Sequence, residues 1–229
     1  MNTPNFKIKQ SVSIVLFTFL AQMAFGQGSF QNLGFEAAVI SPVSPGLISA
    51  ADALPGWTVR LNDTAFAVVS TDDSFDGTLA VLLSSASSYY APLEGNYSIQ
   101  LYGNSFDPSY QTASISQAGL IPDGTQSIQF SLRNNNISGL NPTSSDFAVT
   151  LNGVPIGLSV LSSSAGIMTV AGDVGAFSGT SAELRFTAFQ GGYGLDSIMF
   201  SPQAVPEPSA LSLFGLGLLG LGWQLHRKR

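Results

Sequence analysis

The chain has 229 residues, no cysteine, a single histidine at position 226 and a formal net charge of −6. With no cysteine, and no histidine before the last few residues, it offers no Ser–His or Cys–His nucleophile pair, no histidine-bound zinc and no disulfide framework. Between residues 27 and 204 only three arginines stand against thirteen Asp or Glu residues, a balance that repels the phosphates of nucleic acid. What remains is carboxylate catalysis of the glycosidase kind, hard-cation binding, or a role without catalysis.

Residues 1–26 predict a secretory signal peptide. Lys7 and Lys9 precede the apolar run 12–20, which is too short for a stable membrane span and is followed by small residues. Ala24 and Gly26 fit the −3 and −1 positions of a cleavage site, so the mature chain is expected to begin at Gln27. Residues 27–204 are long enough to bury a single core without disulfide bonds.

The exported part of the chain predicts strands almost throughout and no amphipathic helix. Short runs rich in Val, Ile, Phe and Tyr alternate with Gly, Asn, Asp, Ser and Pro, which is typical of an antiparallel β-sandwich. Asn152-Gly153 predicts a type I′ hairpin turn. Ser41–Gly46 and Gly191–Gly194 are predicted as loops, whereas residues 82–90 fit a helix, a strand or a loop. Strands are predicted at 30–36, 57–61, 66–69, 97–101, 112–117, 126–133, 146–151, 167–170, 183–188 and 194–201.

Three short sequences connect this sandwich to a known group of folds. They are NLGFE at 32–36, LPGW at 54–57 and GLDSIMF at 194–200. Together they resemble the first strand, the following Gly-Trp and the last strand of galactose-binding-like jelly-roll sandwiches, which occur in many carbohydrate-binding modules. The resemblance implies a jelly-roll fold over residues 29–201 and a domain able to bind carbohydrate.

The same resemblance implies a structural calcium ion held by Glu36 and Asp196. Ser197 stands where the family pattern has a second acidic residue, so backbone carbonyls or a nearby acid such as Asp52 would have to complete the six to eight oxygens that calcium needs. The alternative interpretation is that Glu36 and Asp196 are solvated residues at strand ends.

A second calcium candidate lies at residues 72–77. Asp72, Ser74 and Asp76 have the spacing of the first three ligands of a calcium loop, and Gly77 follows at the turn position. Leu83 occupies the twelfth position, where a bidentate carboxylate belongs. Clusters of Asp, Ser and Gly also form ordinary turns, and the sequence favours that interpretation.

Sugar recognition would need exposed aromatic rings beside polar side chains. Tyr89 and Tyr90 lie in polar surroundings, and Tyr193 lies in the predicted glycine-rich loop, so these three are the candidate ligand-binding aromatics. Trp57 follows Pro-Gly in an apolar strand and is predicted to lie in the core.

The last twenty-five residues have three parts with separate physical roles. Val205, Pro206, Glu207 and Pro208 form a stiff extended segment, because proline fixes φ and removes a backbone donor. Residues 210–225 are apolar apart from two positions and predict a transmembrane helix, whose length of about 24 Å falls short of a hydrocarbon core of roughly 30 Å. The basic tail 226–229 would stay in the cytoplasm, through the three charged residues Arg227, Lys228 and Arg229.

This order of motif, apolar span and basic end resembles the PEP-CTERM sorting signal of bacterial surface proteins. The resemblance implies recognition by a membrane-embedded exosortase, passage through the secretion machinery and removal of the tail during export. An ordinary permanent membrane anchor is the alternative. In either case residues 27–204 lie outside the cytoplasmic membrane. If the tail is a sorting signal, they are expected to be anchored to that membrane first, and then to lie at the surface or in the extracellular matrix of a Gram-negative-type bacterium.

Three functions are compatible with these features. The first is a non-catalytic surface or matrix protein in contact with extracellular polysaccharide. The second is a carbohydrate- or calcium-dependent binding module, and the third is a carboxylate-dependent glycan hydrolase. The hydrolase is the least favoured, because no paired-carboxylate motif stands out among the thirteen acids. The sorting tail makes the first function our prediction. Apart from a structural calcium ion, no cofactor is expected.

Overall fold

The structure is a computed structural model, and it describes residues 28–205 apart from 41, 45, 73–77, 104–110 and 136–145. The signal peptide, its cleavage site and the tail beyond Val205 lie outside the described residues. In chain order the elements are β1 (Pro42–Ser44), β2 (Leu47–Ser49), α1 (Ala50–Ala53), β3 (Thr58–Leu61), β4 (Thr64–Ala65), β5 (Val68–Thr71), β6 (Ala80–Leu83), β7 (Ser98–Gly103), β8 (Ala113–Leu120), β9 (Ser127–Asn134), β10 (Phe147–Leu151), β11 (Val154–Pro155), β12 (Leu158–Ser164), β13 (Ile167–Asp173), a 3₁₀ turn (Gly175–Phe177), β14 (Ser181–Ala188) and β15 (Gly191–Ser201).

The strands form two sheets that enclose one core. The first sheet has nine strands in the order β1-β2-β5-β6-β7-β15-β9-β13-β12, and the second has six in the order β11-β10-β14-β8-β3-β4. Every pairing is antiparallel except β5 with β6. From β7 onward the chain passes repeatedly from one sheet to the other, as in a jelly roll. The prediction of an all-β antiparallel sandwich is confirmed.

Aromatic rings fill the centre of the sandwich. Residues of β14 alternate strictly between buried and half-buried, which directs Phe186 inward. The Phe186 ring meets Phe130 of β9 edge-on at 5.3 Å between centroids and Trp57 at 6.2 Å. Trp57 is 6% exposed and donates its ring N–H to the Asn32 carbonyl at 3.1 Å. The prediction that Trp57 belongs to the core is confirmed.

The predicted strand at 30–36 is wrong. This segment forms turns, with Asn32 at φ +50° and Phe35 at φ +59°. The turns bring Phe35, which is fully buried, to 5.8 Å from the Trp57 ring. Burial of this ring therefore outweighs the strand propensity of the local sequence.

Both predicted loops differ from the structure. Part of Ser41–Gly46 forms β1, and Gly191–Gly194 begins β15 and pairs with β7 and β9. Glycine is needed at Gly192 because a Cβ there would lie 2.8 Å from the Tyr102 ring. In the ambiguous segment 82–90, the first two residues end β6 and turns follow.

The type I′ hairpin turn is confirmed. Asn152 and Gly153 have φ of +50° and +78°, and they connect β10 to β11. Both ends of the described chain lie at one end of the sandwich. Ser29 bridges to Leu120 at the end of β8, and Ser201 pairs with Ser127 at the start of β9.

Candidate functional site

A cleft of about 320 Å³ opens on the outer face of the six-stranded sheet. Alternation along β14 places Glu183, Arg185 and Thr187 on this face, opposite the core residues of the same strand. On the neighbouring strand β10, Thr150 pairs with Arg185. Thr112 completes a set of three threonine hydroxyls that line the cleft. The rigid sheet therefore fixes the positions of both hydroxyls and charges.

The charges in the cleft are paired with one another. The Arg185 guanidinium contacts Asp63 Oδ1 at 2.7 Å through Nη1 and Glu183 Oε1 at 3.2 Å through Nη2. Arg60 on β3 approaches Glu183 Oε1 at 3.8 Å. On β8 between them, Ser116 pairs directly with Arg185, and its small side chain leaves room for the long arginines to lie across the sheet. The network contains two cations and two anions and is neutral.

The environment of Glu183 keeps its carboxyl group ionised. Burial alone would raise the pKa of Glu183, but hydrogen bonds from the Ser116 hydroxyl and from Arg185, with the charges of Arg185 and Arg60, hold the pKa below its usual value. Asp63 shares the Arg185 guanidinium, and its side chain is 85% exposed. A glycosidase needs one protonated carboxyl group with a raised pKa. The lowered pKa of Glu183 is the opposite of that requirement.

The predicted calcium residues meet in a different place, on the outer face of the nine-stranded sheet. Asp196, on β15, is 1% exposed. Its Oδ2 accepts the Ser98 hydroxyl at 2.6 Å and the Glu94 backbone N–H at 3.1 Å, while Oδ1 accepts the Ser197 N–H at 2.6 Å. Burial raises the pKa of Asp196 to about 6, although these hydrogen bonds oppose the rise.

Glu36 lies close enough for its charge to raise the pKa of Asp196 further. Its own carboxylate accepts the backbone N–H groups of Asn96 at 2.8 Å and Tyr97 at 3.1 Å, and the Asn96 amide at 2.9 Å. Burial acts to raise the pKa of Glu36, and these three donors outweigh it, so the pKa is lowered. The structure therefore brings Glu36 and Asp196 to one region.

The two carboxylates have hydrogen-bond donors from the protein itself. Calcium is surrounded by oxygen atoms, whereas every carboxylate oxygen of Glu36 and Asp196 already accepts an N–H or O–H from the protein. Asp52 lies in α1. Within the described ranges no group of three or more acidic or histidine side chains is arranged to hold a metal. The alternative interpretation, that these are solvated residues at strand ends, is wrong for Asp196, because its side chain is buried.

The second calcium candidate is described only at its first residue. Asp72 has φ +51° and accepts the Ser84 N–H at 2.7 Å through its side chain. This is the geometry of a turn residue that tolerates the left-handed region. Ser74 and Asp76 lie outside the described residues.

Two of the three candidate tyrosines reach the surface. Tyr89 is 73% exposed, and Tyr90 is half-buried with its ring 5.0 Å from the Arg133 guanidinium carbon. The prediction that Tyr193 is exposed is wrong. Because β15 already begins at Gly191, strand alternation points Tyr193 into the core, where it is fully buried and packs 4.8 Å from Phe147.

The sequence analysis missed the cleft, although the pattern held a signal for it. Glu183, Arg185 and Thr187 alternate with apolar residues in a predicted strand, so they share its solvent face. The sequence did not show which residues lie next to this strand, because Asp63 and Thr150 come from distant parts of the chain. Strand pairing, together with the β3–β4 turn that carries Asp63, brings the five residues together.

Residues 204–228 match the model of the PEP-CTERM protein-sorting motif. The chain carries a PEP-CTERM sorting motif. Val205, the first residue of the VPEP segment, is half-buried and follows β15 closely, whereas Pro206, Glu207, Pro208 and the basic residues Arg227, Lys228 and Arg229 lie outside the described residues. In the part of the chain that is described, no helix is long and apolar enough to cross a membrane.

No curated protein matches the chain. Among solved structures, TmCBM61 in complex with β-1,4-galactotriose is 12% identical, with a TM-score of 0.36, and the match covers 77% of this chain and 99% of that one. The K2 cleaved adhesin domain of Lys-gingipain is 14% identical, with a TM-score of 0.38 and coverage of 65% and 91%. The family 11 carbohydrate-binding module from Clostridium thermocellum, in complex with a β-1,3-1,4-mixed-linked tetrasaccharide, is 11% identical, with a TM-score of 0.32 and coverage of 68% and 94%. At these identities and TM-scores nothing about their ligands carries over to this chain.

Proposed function

We propose that the chain is a non-catalytic protein of the cell surface or extracellular matrix, and that its sandwich contacts neutral polysaccharide through the cleft on the six-stranded sheet. The observation that carries this proposal is the lining of the cleft, which combines three threonines with a self-neutralised Arg–carboxylate network.

The lining suits a polyhydroxylated ligand. A sugar hydroxyl both donates and accepts. The cleft offers threonine hydroxyls that do the same, carboxylates that accept and the Arg185 guanidinium, which donates. Phe189 adds an apolar wall against which the C–H face of a sugar ring can pack. The charges are already neutralised within the cleft, so a neutral ligand need not displace a counter-ion.

Binding is favoured over hydrolysis by the state of the carboxyl groups. Glu183 and Asp63 are two carboxylates in one cleft, which is the minimum that a glycan hydrolase requires. Both contact the same Arg185 guanidinium, and the pKa of Glu183 is lowered. The lowered pKa of Glu183 favours its ionised form, whereas cleavage of a glycosidic bond needs a protonated acid, so this carboxyl group suits binding better than hydrolysis.

The last described residues lie at one end of the sandwich, and part of the cleft lies toward the other end. The Ser127 hydroxyl donates a hydrogen bond to the Gln203 carbonyl at 2.7 Å. This bond attaches the chain to the sheet two residues before Val205. The cleft residues Thr112 and Thr187 lie toward the other end of β8 and β14, away from both chain ends.

The glycan proposal is tested by isothermal calorimetry on the full-length chain in detergent, with neutral oligosaccharides chosen from a glycan array. Thr150→Val and Thr187→Val keep the side-chain shape and remove one hydroxyl each. Each loss is expected to weaken binding about fivefold, since a hydrogen bond contributes about 1 kcal/mol. Thr58→Val, on the same sheet but outside the lining of the cleft, is the matched control. Absence of binding to every neutral glycan, or release of reducing ends by the wild type, would contradict the proposal.

The delivery proposal is that an exosortase recognises the VPEP segment and processes the tail. Replacement of Pro206-Glu207-Pro208 by three alanines is expected to leave the whole protein unprocessed in the membrane fraction, because the stiff recognition segment is lost while the apolar span remains. Immunoblots of membrane and extracellular fractions measure size and location. A variant with wild-type size and location would instead support a permanent anchor.

A further inference from the structure

Three residues lie side by side on the outer face of the nine-stranded sheet, opposite the cleft. In the pairing of β7, β15 and β9, Gln100 lies beside Gly194, and Gly194 lies beside Arg133. Gly194 has no side chain, so the two polar side chains flank a gap across about 10 Å, or two strand spacings. Leu93 covers this gap, with its Cδ1 3.0 Å from where a Cβ of Gly194 would lie.

The Arg133 side chain is only partly used by the protein. Its Nη1 donates to the Ala91 carbonyl at 2.8 Å, and its guanidinium carbon lies 5.0 Å from the centre of the Tyr90 ring. Its Nε and Nη2 are buried and have no acceptor within the described part of the chain. Nε and Nη2 form the side-on edge of the guanidinium, which is one of the two edges that bind a carboxylate through parallel hydrogen bonds.

Gln100 adds a third donor of the same kind. The residue is fully buried, and its Oε1 accepts the Asn135 amide at 2.8 Å. Its Nε2 has no acceptor among the residues that the structure describes. Buried donors without acceptors cost free energy until an acceptor arrives.

The charge of Arg133 is also uncompensated. Arg60 and Arg185 both contact carboxylates, whereas Arg133 contacts none among the described residues. The groups that act on its charge are Tyr90 and Tyr102. Burial raises the pKa of Tyr102 to about 12, so that phenol stays neutral, and arginine stays protonated although burial lowers its pKa.

We propose that the side-on edge of Arg133 binds the carboxylate of an acidic sugar, with Gln100 as a further donor. The exposed ring of Tyr89, next to Tyr90 in the segment 84–97 that covers this face, offers a surface on which the sugar ring can pack. Access requires Tyr90 to move off the guanidinium and Leu93 to leave the gap beside Gly194. The turn that carries it is held in part by local bonds, from Ser87 N to Ser84 O and from Tyr90 N to Ser87 Oγ, both 3.2 Å. This site is separate from the cleft and binds a charged ligand rather than a neutral one.

The test is calorimetric titration of the full-length chain in detergent with galacturonate, galactose and acetate. Galacturonate is expected to bind at least tenfold more tightly than galactose, which lacks the charge, and than acetate, which lacks the ring. Arg133→Gln is expected to reduce galacturonate affinity about tenfold or more, since charge-assisted bidentate hydrogen bonds are lost. Arg133→Lys keeps the charge and a donor for the Ala91 carbonyl but not the planar edge, and a similar loss is expected.

Several results would overturn the proposal. Equal affinity for galacturonate and acetate would show that the sugar ring is not recognised. Wild-type affinity in Arg133→Lys would show that the carboxylate is not bound through the Nε–Nη2 edge. Thermal unfolding of both variants shows whether the fold is kept, and Ser162→Ala on the edge strand β12 of the same sheet is the surface control. Loss of galacturonate binding with neutral glycan binding intact separates this site from the cleft, and the converse result in the threonine variants separates the cleft from this site.

Discussion

The two outer faces of the sandwich carry the same kinds of side chain but use them differently. On the six-stranded sheet Arg185 contacts Asp63 and Glu183, and the face stays open as a cleft. On the nine-stranded sheet Arg133 and Asp196 contact the backbone of the segment 84–97, which covers the face. Charges that pair within a sheet leave the face open to solvent, whereas charges that bind main-chain groups hold a covering segment in place.

The covering segment is attached at two separated places. Near its middle the Ala91 carbonyl accepts from Arg133, and toward its end Glu94, Asn96 and Tyr97 donate to the two carboxylates of Asp196 and Glu36. In the structure, the region that resembled a calcium site attaches backbone N–H groups of this segment. Glu36 and Asp196 act as acceptors, as the resemblance implies for metal ligands, and in the structure they accept from N–H and O–H groups of the chain.

The largest effect on this comparison is expected from Asp196→Asn. The pKa of Asp196 is raised from 3.8 to about 6, so its favourable contribution to folding is complete below pH 3.8 and is lost as the pH rises through about 6. This rise in pKa corresponds to a change of about 3 kcal/mol in the free energy of unfolding between acid and neutral pH. The asparagine does not titrate and misplaces one donor against the backbone N–H groups. The variant is therefore expected to be least stable relative to wild type at acid pH, and the difference should shrink by up to about 3 kcal/mol toward neutral pH.

Urea unfolding of both proteins across this pH range measures the difference. Asp123→Asn, in an exposed turn, controls for the loss of one negative charge. If the difference in unfolding free energy stays constant with pH, burial does not raise the pKa of Asp196 as its surroundings imply.

The framework of the fold follows from local sequence patterns, and the arrangement around the sites does not. Alternation predicted the strands that contain Phe130 and Phe186, and Asn152-Gly153 predicted its hairpin, because both signals depend only on neighbouring residues. The turn at Phe35 and the inward position of Tyr193 depend on core partners far along the chain. Local propensity carries no information about such partners.

The same distinction applies to the functional residues. The sequence nominated Glu36 and Asp196 as a pair, and the structure brings them to one region, but their ligands are N–H groups of a segment about sixty and a hundred residues away in the chain. The cleft was missed because Arg185 and Asp63 are 122 positions apart. The sorting motif needed no such partners, since its recognition elements are contiguous in sequence.

The smallest effect, and the one that decides between metal and backbone attachment, is expected from Glu36→Gln. The lowered pKa of Glu36 means that its contribution to stability is present above pH 4.5 and is lost as the pH falls through the folded-state value. The variant is expected to lose about 1 kcal/mol of unfolding free energy at neutral pH, since charge-assisted hydrogen bonds to Asn96 and Tyr97 become neutral ones. In acid this cost should disappear. Neither calcium nor a chelator is expected to shift the midpoint of thermal unfolding of the wild type, because the carboxylate oxygens already have donors. A rise in that midpoint with calcium, absent in Glu36→Gln, would show that Glu36 binds calcium. The two faces would then differ in the ligands they bind rather than in how their charges are paired.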